Sequence, residues 1–232
     1  AVATIDKAVR RILSLKFQMG LFDDPFVDEK QAVQLVASSE HTGLAREVAR
    51  QSIVLLKNKD KLLPLKKDIR TLAVIGPNAD NVYNMLGDYT APQADGTVVT
   101  VLDGIRQKVS KETRVLYAKG CAVRDSSRTG FKDAIETARN ADAVVMVMGG
   151  SSARDFSSEY EETGAAKVTI NQISDMESGE GYDRATLHLM GRQLELLEEI
   201  SRLGKPVVLV LIKGRPLLME GAIQEAEAIV DA

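Results

Sequence analysis

From Thr71 to the end of the chain, short uninterrupted apolar runs alternate with segments of helical spacing, and that alternation leaves few folds open. The runs are Leu72-Ala-Val-Ile-Gly76, Arg114-Val-Leu-Tyr-Ala118, Ala143-Val-Val-Met-Val-Met148, Pro206-Val-Val-Leu-Val-Leu-Ile212 and Ala228-Ile-Val230. A strand with one wet face carries a polar residue at every second position, whereas a strand covered on both faces reads as a continuous apolar run. Between the runs the spacing predicts helices over 100–109, 130–140 and 191–203. In the last of these Leu194, Leu197, Ile200 and Leu203 form one stripe. Strands and helices in this order predict an α/β protein: a three-layer αβα sandwich on a mainly parallel, doubly wound sheet.

Ahead of this pattern the sequence is helical. Ile5, Val9, Ile12, Leu13 and Phe17 share one face of a helix over 4–20, with Thr4 to start it and Gly20 to stop it. A second helix is predicted over 41–52, with Leu44, Val48 and Ala49 inward, running into Ile53-Val-Leu-Leu56. The expected division is a helix and linker over 1–40 and the sandwich over 41–232.

Composition narrows the function classes. Of 232 residues, 44% are hydrophobic and 27% charged, as in an ordinary globular chain. Net charge is 30 − 33 = −3 without a basic stripe, so nucleic acid is not an expected partner. No apolar run approaches the roughly 20 residues that span a bilayer, so no membrane is expected either. The chain opens at Ala1 without a signal segment and stops at Asp231-Ala232 directly after a strand-like run. Both ends read as cut, and the sandwich as truncated at its C-terminus. One cysteine, Cys121, excludes an internal disulfide and is read as a small buried hydrophobe. With only His41 and His188 beside it, no metal site and no cofactor are expected.

In doubly wound sheets the ligand crevice lies outside the carboxyl ends of the strands. The segment from Gly149 to about Arg184 leaves such an end and far exceeds the usual length of a connection. It carries Asp155, Glu159, Glu161, Glu162, Asp175, Glu177, Glu180 and Asp183. Glu159, Glu161 and Glu162 suit a solvated loop, and the spacing of an EF-hand is missing. Glu180 differs, since Ser178-Gly-Glu-Gly-Tyr-Asp-Arg184 sets it between two glycines and beside an Asp-Arg pair. Glycines let the backbone bend sharply and a bulky ligand come close, and an arginine can orient or compensate a carboxylate. That pattern suits a proton-transferring acid, with Asp155, Asp183 and Arg184 as further candidates on the substrate side. His188, in Leu187-His-Leu189, suits a surface position or a satisfied buried one. Arg215, in Gly214-Arg-Pro216, suits a turn arginine paired with a carboxylate. Nucleotide binding is disfavoured, since neither glycine-rich phosphate motif is present and Gly149-Gly-Ser-Ser152 leads into an acidic loop, not a helix start.

Several ordered runs also carry a family resemblance. They are Ile5-Asp-Lys-Ala-Val-Arg-Arg-Ile-Leu13 with Gly20-Leu-Phe-Asp23, and Ala45-Arg-Glu-Val-Ala-Arg-Gln-Ser-Ile-Val-Leu-Leu-Lys-Asn58 with Leu63-Pro-Leu65. Ala73-Val-Ile-Gly-Pro-Asn-Ala-Asp80, the Glu180 motif and Gly214-Arg-Pro216 complete the set. Together they resemble the second, α/β sandwich domain of glycoside hydrolase family 3, the β-glucosidase and β-xylosidase family, over almost the whole chain. The first run is similar to the segment that leads out of that family's N-terminal barrel.

The resemblance implies a retaining exo-β-glycosidase acting on terminal β-glucosyl residues of oligosaccharides or glycosides. An aspartate from a barrel of the same polypeptide would be the nucleophile, and Glu180 the general acid/base. Two carboxyl groups roughly 5–5.5 Å apart serve such a mechanism. Without the barrel this chain is expected to be inactive alone. The Glu180 motif argues against the family's N-acetylglucosaminide-cleaving subgroup. A β-xylosidase domain and a non-catalytic carbohydrate-binding module are the alternatives, and family habit implies a periplasmic or secreted setting.

Overall fold

The structure, a computed structural model, describes residues 2–153, 175–179 and 183–232. It divides into two compact units, 1–52 and 53–232. The sheet takes its first strand directly from residues 54–58, which makes the end of the preceding helix the natural boundary.

The first unit holds α1 (Val2–Gln18), α2 (Glu29–Leu35) and α3 (Ser39–Ser52). Gly20, at φ +71°, ends α1: its N–H bonds to Phe17 O at 3.0 Å and the N–H of Leu21 to Lys16 O at 3.1 Å. This is a Schellman closure, which glycine adopts without strain. Asp28 caps α2 by accepting from the N–H groups of Lys30 and Gln31. None of the three helices has a buried residue. Leu44 and Val48, which the pattern placed inward, are exposed, as are Ile5, Val9 and Ile12. Periodicity marks a face that can be covered, and within this unit there are too few residues to cover it.

The second unit is the sandwich. Its sheet contains β1 (Val54–Asn58), β2 (Thr71–Ile75), β3 (Arg114–Ala118), β4 (Ala143–Gly149), β5 (Val207–Ile212) and β6 (Ala228–Asp231), in the order β1-β6-β5-β4-β2-β3. All neighbours are parallel except β1, which pairs antiparallel with β6 and carries an irregularity between Leu55 and Lys57. The five apolar runs of the sequence are the five parallel strands. The sixth strand sits at the edge, where Ile53-Val-Leu-Leu56 continues the helix without a turn residue to announce it.

Connection handedness explains the layers. The crossover from β2 to β3 runs one way along the sheet and carries α5 (Val101–Lys108), capped by Thr100 Oγ1, which accepts from the N–H of Asp103. The remaining crossovers run the other way and carry α6 (Phe131–Arg139), α7 (Gln193–Ser201) and α8 (Ala222–Glu225). Right-handed crossovers in opposite directions place helices on opposite faces. One core accordingly joins Ala73, Val144, Met146, Met148, Leu209 and Leu211 to Phe131, Ala134, Leu196, Leu197 and Ile200. The other joins Leu72, Val74, Val145, Val147 and Val208 to Leu102, Ile105 and the Leu62–Ile69 stretch. Alternate residues of one apolar strand thus serve two cores. The short α4 (Val82–Leu86) lies in the loop after β2.

Candidate active site

Chain direction reverses between β2 and β4. β3 lies on one side of β2 and β4 on the other, and ligand crevices of doubly wound sheets form at such switch points. Both strands end there in a glycine of positive φ. Gly76, just past β2, has φ +132°, and a Cβ on it would lie 2.1 Å from Val147 O. Gly149, the last residue of β4, has φ +136°, and its Cβ would lie 2.0 Å from Ile212 O. Each lets its chain turn tightly across the carbonyl of the neighbouring strand, which no side chain would permit.

A buried polar chain joins the two strand ends. Asn78 Nδ2 donates to Gly150 O at 3.0 Å, Asn84 Nδ2 donates to Asn78 Oδ1 at 2.7 Å, and Ser151 Oγ donates to Asn84 Oδ1 at 2.7 Å. Gln193, at the start of α7 and fully buried, secures the far side. Its Oε1 accepts from the N–H of Gly149 at 2.9 Å, and its Nε2 donates to Gly149 O at 2.9 Å and to Val123 O at 3.2 Å. One side chain so substitutes for a strand partner at the point where β4 leaves the sheet. Buried amides are held to a single arrangement when all their bonds are made.

The acidic loop returns onto this frame through residues 175–179. The N–H of Glu177 bonds to Ser151 O at 2.8 Å. Asp175 Oδ1 accepts from the N–H of Val123 at 2.8 Å, and Arg124 Nη1 donates to Met176 O at 2.8 Å. Glu177 turns inward and meets Arg184, Nη1 to Oε1 at 3.0 Å, with the two side chains only 4% and 2% exposed. Arg184 also donates from Nε to Thr186 O at 2.9 Å and from Nη2 to His188 O. Glu177 Oε2 is buried and accepts no hydrogen bond from any described residue. Burial pushes the Glu177 carboxyl up from its ordinary value, against the opposing pull of Arg184, Arg124 and Arg215.

The structure separates the candidates that the sequence grouped together. Asp175 and Glu177 anchor residues 175–179 to the frame. Arg184 spends its guanidinium on Glu177 and two carbonyls. Asp183 is exposed at the rim, where Arg215 Nη1 donates to its Oδ1 at 2.9 Å; the turn arginine does pair with a carboxylate. His188 is exposed. Glu180 and Asp155 lie outside the described residues. Asn78, Asn84, Ser151 and Gln193 went unnoticed as site-forming residues, because buried amides and hydroxyls leave no periodic trace. Among the described residues no cluster of histidine, cysteine or acidic side chains could hold a metal ion, and no helix is long and apolar enough to cross a membrane.

An open, mainly parallel α/β sheet with helices on both faces and a buried polar frame at its switch point defines an αβα sandwich domain. The chain belongs to glycoside hydrolase family 3: residues 53–232 match the family's profile, described as "Glycosyl hydrolase family 3 C-terminal domain". It is 39% identical to a β-xylosidase of Formosa agariphila over 98% of this chain and 29% of that protein. It is 34% identical to a periplasmic β-glucosidase of Salmonella typhimurium over 99% of this chain and 30% of that protein. Among solved structures, the β-glucosidase of Listeria innocua in complex with glucose superposes with a TM-score of 0.74 at 27% identity, covering 97% of this chain and 27% of that one. The chain therefore spans less than a third of the length of these relatives.

Proposed function

We propose that this chain is the acid-bearing part of a retaining exo-β-glycosidase that releases terminal β-glucosyl residues from oligosaccharides or glycosides. In this reading an aspartate from an N-terminal barrel of the same polypeptide attacks the anomeric carbon and forms a glycosyl-enzyme. Glu180 protonates the departing oxygen and then takes a proton from the attacking water. Asp183, exposed and paired with Arg215, is assigned to the substrate side together with Arg184 and Asp155. The chain alone, lacking the nucleophile, is inactive. A periplasmic or secreted location accords with the periplasmic β-glucosidase relative.

The observation that carries this reading is the anchoring of the loop that bears Glu180. Glu177 and Arg184, three residues before it and four after it, are buried and joined at the carboxyl end of β4. A loop merely solvated by its own charge would not need such a foundation. A β-xylosidase is the second reading, favoured by the Formosa agariphila relative. Comparing kcat/KM for aryl β-glucosides and aryl β-xylosides separates the two.

The deciding experiment is Glu180→Gln in the enzyme that carries this domain. Loss of a general acid should lower kcat/KM on a β-linked disaccharide by about 10²–10⁴-fold. A dinitrophenyl glycoside, whose leaving group needs no proton, should lose far less in its first step. An unchanged rate on the disaccharide removes Glu180 from the mechanism, and an intact rate on both substrates would favour a non-catalytic binding module. Turnover of any aryl β-glucoside by the 232-residue chain alone would contradict the need for a barrel.

A further inference from the structure

We infer that a groove at the amino ends of β2, β4 and β5 is a binding site for a small organic acid, one carboxylate on an apolar alkyl or aryl body. The groove lies wholly within the second unit, and its ligand does not depend on the glycosidase reading.

The groove encloses about 570 Å³, inside the range of roughly 300–1,000 Å³ usual for small-molecule sites. Its floor is apolar. Leu62, Leu65 and Ile69 line it while packing on the core of Leu72, Val145 and Val208, and Ala143 and Pro206 close it where β4 and β5 begin. No aromatic side chain lines it, so a neutral sugar finds no flat face to stack on. The rim is cationic, with Lys61, Lys66 and Arg70. Asp68 and Asp142 are the acids of the lining, and Asp142 is engaged: its Oδ2 accepts from the N–H of Thr71 at 2.9 Å, and its Oδ1 stands 3.6 Å from Arg70 Nη2. Lys61 and Lys66 make no ion pair with any described residue. Residues 57–70 hold six lysines and arginines against two aspartates in a chain of net charge −3, so the complement of this groove is an anion.

The rim is also held in place against backbone strain. Asp60 and Lys61 take φ of +52° and +57°, a left-handed conformation that residues with a side chain adopt reluctantly. Asn58 clips the turn shut: its Oδ1 accepts from the N–H of Leu63 at 2.9 Å and its Nδ2 donates to Leu63 O at 3.0 Å. Lys57, one residue earlier, is tied to the carbonyls of Ile223 and Ala226. Strained residues persist where their surroundings over-determine them, and they gather at ligand clamps. Here they set an uncommitted ammonium beside an apolar groove.

The test is a ligand-observed NMR titration of the full-length enzyme that carries this domain, with octanoate, with 4-phenylbutyrate, and with 4-phenylbutanol as the uncharged control. Each acid should bind with a Kd of about 0.1–5 mM, as suits about ten to twelve heavy atoms, and the alcohol at least about 5-fold more weakly. Lys61→Glu combined with Lys66→Glu, both at exposed positions, should weaken the acids about 10-fold and leave the alcohol within about 2-fold. Arg11→Glu combined with Lys16→Glu on α1, which also stand beside exposed apolar side chains, should change nothing. A preference for octanoate marks an alkyl site and one for 4-phenylbutyrate an aryl site, and either meets the proposal. If the groove double variant fails to fold, Lys61→Ala and Lys66→Ala are read singly, with a loss of about 3-fold expected from each. No saturation by either acid up to about 20 mM overturns the site, since a groove of this size should fill well below that. Equal binding of the alcohol, or a loss that follows the α1 reversal and not the groove reversal, overturns it as well.

Discussion

Gly150 and Glu177 compete for one volume. A methyl group on Gly150 would stand 1.9 Å from Glu177 Oε1 and 2.7 Å from its carboxyl carbon. The carboxylate occupies the space that a side chain at residue 150 would take. The second glycine of the Gly149-Gly150 pair is thus explained by a residue far along the chain, at 177.

Gly150→Ala should therefore expel Glu177 from its seat and separate it from Arg184, leaving a buried guanidinium uncompensated. Breaking a buried pair from one side costs about 3–5 kcal/mol. In a Glu177→Ala background the same Gly150→Ala change no longer meets the carboxylate and should be far milder. A double-mutant cycle by urea unfolding measures the difference, with a coupling of about 1–3 kcal/mol expected. Additive losses would show that the two residues do not share space in solution.

The pH dependence of stability follows from the same burial. The Glu177 carboxyl is raised above its ordinary value, chiefly by desolvation, so the folded chain holds that proton to higher pH than the unfolded chain does. For such a group the stabilising contribution is complete below the unfolded value of about 4.3. It is lost as pH climbs through the folded one. Glu177→Gln has no proton to lose. From about pH 4 upward the wild-type chain should lose stability relative to this variant, with the difference levelling off above the raised value. Unfolding free energies of both proteins across that range read the slope directly. A wild type that gains on the variant as pH rises would mean that the attraction of Arg184 outweighs burial.

How much of this was open to inspection in the sequence depended on what each residue does for the fold. β2, β4 and β5 were legible because burial on two faces leaves an unbroken apolar run, and Arg114–Ala118, a half-exposed edge strand, still stands where its run placed it. Gly20 was legible as a helix end, since a positive φ has its own residue preference, whereas Thr4, read as the start of the first helix, lies inside α1. β1 was not legible, because an edge strand directly after a helix shows neither alternation nor a turn. The inward faces of α1 and α3 were periodic without being buried. At the site, the roles of the described acids did not follow from composition. Glu177 and Glu180 are equally acidic in sequence, and only the location of Arg184 and Gly150 in space makes the first an anchor. Gln193 left no trace at all, although it ties Gly149 on both its N–H and its carbonyl.

Cys121 provides a check on the frame beneath the loop. Its thiol is buried and pushed up to about 12, first by desolvation and then by the nearby Asp175 carboxylate, with Lys119 pulling the other way. Asp175 is the same side chain that accepts from the N–H of Val123 and anchors the returning loop. The thiolate is the reactive form of cysteine, so the folded chain should resist thiol reagents at pH 8, where an unfolded cysteine of pKa about 8.5 reacts readily. Because the folded value is the higher one, the contribution of this thiol to stability is intact below about 8.5 and drains away as pH rises towards 12. Asp175→Asn removes the negative charge beside Cys121 and weakens the charge-assisted bond to the N–H of Val123, so labelling should accelerate more than the fall in global stability accounts for. The measurement is the rate of a single modification followed by mass, with and without denaturant. Rapid labelling of the wild-type chain under native conditions would mean that the loop base opens locally and that residues 119–125 do not form the rigid support described above.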